Sequence, residues 1–186
     1  MDNEGFTSDI RAREDEYFRR KDQELIEKMK RAAAEDQTRQ ALQDRSGLQD
    51  PELLQELQAL GFTPDTVVLL PLVPAVQVAW AEGNVTDAER ELIMRVARER
   101  GIRHGTPADD QLQTWLATRP SDDVFARATR LVRAMLEASG GGAQVDDLLR
   151  QYEEIAAASG GLLGFGKISA QERSLLEQLE ATLKAR

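Results

Sequence analysis

The sequence contains no cysteine. That excludes disulfides, zinc fingers, iron–sulfur clusters and thiol nucleophiles. It agrees with a reducing compartment, so a cytoplasmic location is expected. One histidine among 186 residues excludes the two-histidine zincin motif and the paired Glu-x-x-His ligands of di-iron bundles. Aromatic residues make up only 5%, few for a β-sandwich or a base-stacking RNA binder. Cations are outnumbered, with 24 Lys and Arg against 33 Asp and Glu and a net charge of −9. Without a basic footprint for phosphate, nucleic acid is not an expected partner. No apolar run reaches the ~18–20 residues that a bilayer core requires. The longest, from Thr66 to Ala81, contains Pro71, Pro74 and Gln77, so no membrane span is expected. Residues 1–30 are dense in charge and lack the apolar run of a signal peptide.

What is present is 41% hydrophobic and 31% charged residues, enough for one folded domain with an arm. The arm is residues 1–45, with 12 of the acids and 10 of the bases; the body, residues 46–186, keeps the other 21 and 14. The arm reads helical from about Ser8 to Leu42. Ile10, Tyr17, Phe18, Leu25, Ile26 and Met29 recur near helical spacing. This stripe is thin, and Lys21 and Asp22 interrupt it, so no long coiled coil is implied. A charged helix packing by its own apolar edge explains it. Docking on the body or on a protein partner through Tyr17, Phe18, Leu25 and Met29 is the functional alternative.

The body alternates helix starts and stops. Asp50-Pro51, Thr63-Pro64, Thr86, Thr106-Pro107, Ser121 and Ser169 open helices; Gly61, Gly101 and the Gly140–Gly142 run close them. No segment sustains a two-residue alternation. The expected class is all-α, a compact bundle of about seven helices behind the arm. Thr63 to Ala81 is expected to form one buried helix, apolar on all sides.

The bundle contains a repeat. Asn84-Val85-Thr86-Asp87-Ala88-Glu89-Arg90 matches Lys167-Ile168-Ser169-Ala170-Gln171-Glu172-Arg173. In each copy a helix leads through a glycine hinge and a β-branched residue to a capping box, Thr86 with Glu89 and Ser169 with Glu172. Neither hairpin buries its apolar face alone, so the two are expected to pack together. Glu82, Asp87, Glu89 and Glu91 gather around the first hinge. Capping explains Glu89, and the helix N-terminus favours acids there without any ligand.

The run VPAVQVAWAEGNVTDAERELI, with GKISAQERSLLEQL as its second element, resembles the signature of the tellurite-resistance TerB-like family. The similarity covers roughly residues 53–183. It implies a non-enzymatic helical module of bacterial stress and metal-resistance systems, with an acidic cluster binding a divalent metal or a protein partner; oxygen ligands at a turn suit calcium or magnesium. Carried onto this sequence, those positions are Glu82, Glu89 and Glu172. The hinge acid is Glu82 where the family more usually has Asp, and its repeat counterpart is Ser159, so the acidic hinges are not symmetric.

Two further features have simple readings. Gly161 to Lys167 meets the first seven positions of a phosphate-binding loop, but Ile168 stands where Ser or Thr is required and no strand precedes it. It is better read as a loop whose Leu162, Leu163 and Phe165 cover the body or face a partner. His104 lies in a turn with no companion nucleophile in view, so a surface role is expected rather than catalysis. Trp80 and Trp115 sit on apolar helical faces and are expected in the core. No catalytic residues are assigned. The alternative to the metal-linked module is a pure adaptor that docks through the N-terminal helix.

Overall fold

A computed structural model of the chain describes the backbone of residues 3–159 and 168–185, and the side chains of residues 16–158 and 168–185. Two compact units result, Met1–Gln40 and Ala41–Arg186. Among the described residues every regular element is helical, as the sequence pattern predicts.

The first unit lies within α1, Asn3–Ser46. Intrahelical ion pairs join Glu16 to Arg20 at 3.5 Å and Lys21 to Glu24 at 3.1 Å. Both pairs are exposed, so each adds only tenths of a kcal/mol, about 0.3–0.5. From Ala41 onward α1 belongs to the second unit. Leu42 is completely buried there, and Arg45 reaches the Pro64 carbonyl and the Asp65 carboxylate.

The second unit continues with α2 (Pro51–Ala59), a 3-10 helix (Val67–Leu72), α3 (Val73–Ala79), α4 (Asp87–Glu99), α5 (Pro107–Ala117), α6 (Asp122–Ala138), α7 (Gly142–Ser159) and α8 (Ala170–Lys184). Asp50, Thr106 and Ser121 cap α2, α5 and α6 through their side-chain oxygens, each supplying an acceptor for an otherwise unpaired amide. The expected single helix from Thr63 to Ala81 is divided. Proline explains the division: Pro74 has no N–H to give Leu70 in the α pattern. The Leu70 carbonyl accepts from Val73 N–H instead, the tighter 3-10 bond. Pro74 likewise offers nothing to the Pro71 carbonyl. The buried Tyr152 hydroxyl donates to that carbonyl from α7 at 2.7 Å.

α3 is the centre of the body. Six of its seven residues are buried, and it packs against α4, α6, α7 and α8. The hairpins α3–α4 and α7–α8 pack through α3 on α7, with α4 on α7 matched by α3 on α8. Exchanging the two hairpins leaves this set of contacts unchanged, as a pseudo-twofold pair requires.

Candidate acidic hinge site

Both repeats close the same reciprocal cap. In the first, Glu89 N–H donates to Thr86 Oγ1 at 3.3 Å, while Glu89 Oε2 accepts from Thr86 N–H at 2.8 Å and from its hydroxyl at 2.7 Å. In the second, Glu172 N–H donates to Ser169 Oγ at 3.2 Å, and Glu172 Oε2 accepts from Ser169 N–H at 2.7 Å. Val85 and Ile168, the β-branched residues before each cap, pack against the core.

Burial sets these glutamates apart from ordinary capping residues. Glu89 is 2% exposed and Glu172 is 1% exposed, whereas Asp87 and Glu91 beside Glu89 are exposed. Burial raises the pKa of Glu89, against the pull of the Thr86 hydrogen bonds, and the charges of Glu172 and Glu82 raise it further. The acids carried over from the family resemblance therefore share one electrostatic neighbourhood around Glu89. Glu82 itself is exposed. It precedes Gly83, whose φ of 89° turns the chain from α3 toward α4.

The chemistry open to this arrangement is narrow. Glu89 and Glu172 are each folded back onto their own helix amides. Among the described residues no group of three His, Cys, Asp or Glu side chains is placed to hold a metal ion. No chemical step is therefore assigned to a cation here.

The arm residues are placed differently. Tyr17, Phe18, Leu25, Ile26 and Met29 are 51–64% exposed, and only Val68 joins them as an exposed large apolar side chain among the described residues. Tyr17 and Phe18 meet edge to face with ring centroids 5.8 Å apart. Leu162, Leu163 and Phe165 lie outside the described residues. Trp80 and Trp115 are half-buried against the core, and Trp80 Nε1–H donates to the Trp115 carbonyl at 2.9 Å.

One polar cluster escapes a reading by motif. Asp109 is completely buried. It accepts from Arg98 at 2.6 Å, Gly105 N–H at 3.0 Å and Gln113 Nε2 at 2.9 Å, and lies 3.0 Å from His104 Nδ1. Burial opposes its charge, but the Gly105 amide, Arg98 and His104 hold its pKa below the ordinary value. Arg90, Arg98 and His104 line an adjoining groove of about 610 Å³. Its arginines are already engaged: Arg90 donates to the Leu116 carbonyl, Arg98 to the Ile102 carbonyl and to Asp109. The cluster thus staples the α4–α5 turn. A Thr-Pro-x-Asp helix start, placing Asp109 three residues after the Thr106 cap, was the available signal. No family model matches the chain, and no curated protein and no solved structure matches it.

Proposed function

We propose that this chain is a non-enzymatic helical interaction module of TerB-like type, acting in a bacterial stress or metal-resistance assembly, and that its N-terminal arm docks on protein. The observation that carries this reading is the ladder of large apolar side chains left 51–64% exposed along α1. Large apolar side chains gathered at the surface are costly to leave in water and mark interaction surfaces. The doubled hinge and cap of the body support the TerB-like part of the proposal. Replacing Tyr17, Phe18, Leu25 and Met29 together by serine should abolish partner capture while circular dichroism stays helical. Unchanged capture would count against the docking role.

The second reading places a divalent cation among Glu82, Glu89 and Glu172. The favouring observation is that the charges of Glu82 and Glu172 both act on Glu89. A hard cation with oxygen ligands, calcium or magnesium, suits that chemistry. The reciprocal caps weigh against it, so the expectation is no heat in calorimetry with calcium, magnesium, manganese or zinc. A saturable heat with a matching rise in melting temperature would establish the cation instead.

A further inference from the structure

We infer that a cleft at the end of α4, between α6 and α7, binds a small organic monocarboxylate with an apolar body, about ten non-hydrogen atoms in all. The site lies in the second unit and goes beyond the docking role of the arm.

The inference starts from one arginine. Arg100 is the C-cap of α4 and is half-buried. The Nε and Nη2 N–H bonds of a guanidinium run parallel along one edge, the fork that fits a carboxylate. On that edge of Arg100, Nη2 donates to Gln151 Oε1 at 2.7 Å. Nε donates to nothing, and among the described residues it is the only buried side-chain nitrogen or oxygen without a hydrogen-bond partner. Leaving a charged donor buried and unpaired is costly, so the vacancy calls for an acceptor. No acid among the described residues forms an ion pair with Arg100.

Arg100 and Gln151 both line a cleft of about 320 Å³. Its floor is apolar: Pro71, Val132, Leu136 and Leu148 are buried, and Met135 is half-buried. Tyr152 fixes one side of the floor, its buried hydroxyl donating to the Pro71 carbonyl at 2.7 Å. An apolar cavity of about 150 Å³ takes a benzene ring, so this cleft has room for a somewhat larger body. The floor calls for hydrocarbon, and the half-filled fork calls for a carboxylate that bridges Nε and Nη2. Such a carboxylate displaces a neutral amide oxygen from Nη2 and supplies the missing acceptor at Nε. One neutral acceptor gives way to two charge-assisted bonds. Asp147, the one acid on the lining, is paired with Arg150 at 2.7 Å on the exposed rim, so its charge is balanced there.

The test uses the full chain at neutral pH with octanoate, octanol and inorganic phosphate as probes. Calorimetry should give a saturable heat with octanoate and a dissociation constant of about 1 mM or tighter. The melting temperature should rise with the same saturation. Octanol, which lacks the charge, and phosphate, which lacks the apolar body, should each bind at least about tenfold more weakly. Arg100→Lys keeps the charge but loses the fork, and should weaken octanoate about tenfold. Gln151→Glu sets a carboxylate of the chain itself against Nη2 and should abolish the octanoate heat while circular dichroism stays helical. It decides the matter should Arg100→Lys not fold. No heat with octanoate would overturn the site. Octanol binding as tightly as octanoate would overturn the carboxylate, and phosphate binding as tightly would overturn the apolar body. Undiminished octanoate binding by Gln151→Glu would remove Arg100 from the site.

Discussion

Glu89 and Asp109 are both acids buried at helix starts, yet their surroundings drive them in opposite directions. Asp109 is held below its ordinary pKa, so its stabilisation is complete above the unfolded value near 3.8 and is lost as pH falls through the folded value. Glu89 is raised above 4.5. Folding favours its protonated form, so its contribution is complete below pH 4.5 and is lost as pH rises through the raised value. Glu89→Gln preserves the reciprocal cap, which accepts glutamine, and removes the charge beside Glu82 and Glu172. Urea unfolding should find the variant at least as stable as the parent at pH 8, with the difference shrinking toward pH 4.5. A loss of about 1 kcal/mol at every pH would show that the cap requires the carboxylate charge. The capping role of Glu89 was legible in the sequence because a cap spans four residues. Its shifted pKa was not, because its burial comes from the packing of the helices, which also brings the charge of Glu172, more than eighty positions away, near it.

At the scale of elements, glycine and proline decide where helices turn and change form. Gly83 holds φ at 89°, a conformation costly to residues with a Cβ. A Cβ built there meets nothing within 4 Å, so Gly83→Ala tests backbone strain free of any clash. The expected cost is about 1 kcal/mol, a fall in melting temperature of about 2–4 °C for a chain of this size. A shift below that range would show that the α3–α4 hinge relaxes without cost. The division of the apolar segment into a 3-10 helix and α3 follows from Pro71 and Pro74, both visible in the sequence. Its apolar pattern suits either helix type, and the missing amide at Pro74, with Val73 donating to Leu70 instead, decides between them.

For the whole molecule, the two units make opposite demands on solvent. The second buries a continuous core from Leu42 to Leu183. The first leaves its described large apolar side chains exposed. Truncation before Ala41 should therefore keep a single cooperative unfolding transition, followed by the two body tryptophans, Trp80 and Trp115. The slope with urea should scarcely change, because that slope follows the surface exposed on unfolding. Truncation after Arg45 should be worse by about 2–5 kcal/mol, since it also removes the buried side chain of Leu42. Equal stability of the two truncations would show that Leu42 contributes nothing to the core.

The amino-acid order alone determined the helical class, the caps and the doubled hinge. Each of these depends on residues within a few turns of one another, where spacing along the chain is also spacing in space. The tertiary structure alone decided that the hairpins pack through α3 and α7, that Glu82 and Glu172 act on Glu89, and that Asp109 becomes a buried hub for Arg98, Gly105, His104 and Gln113. Those outcomes depend on desolvation and on charges meeting across separate helices, which no local pattern encodes.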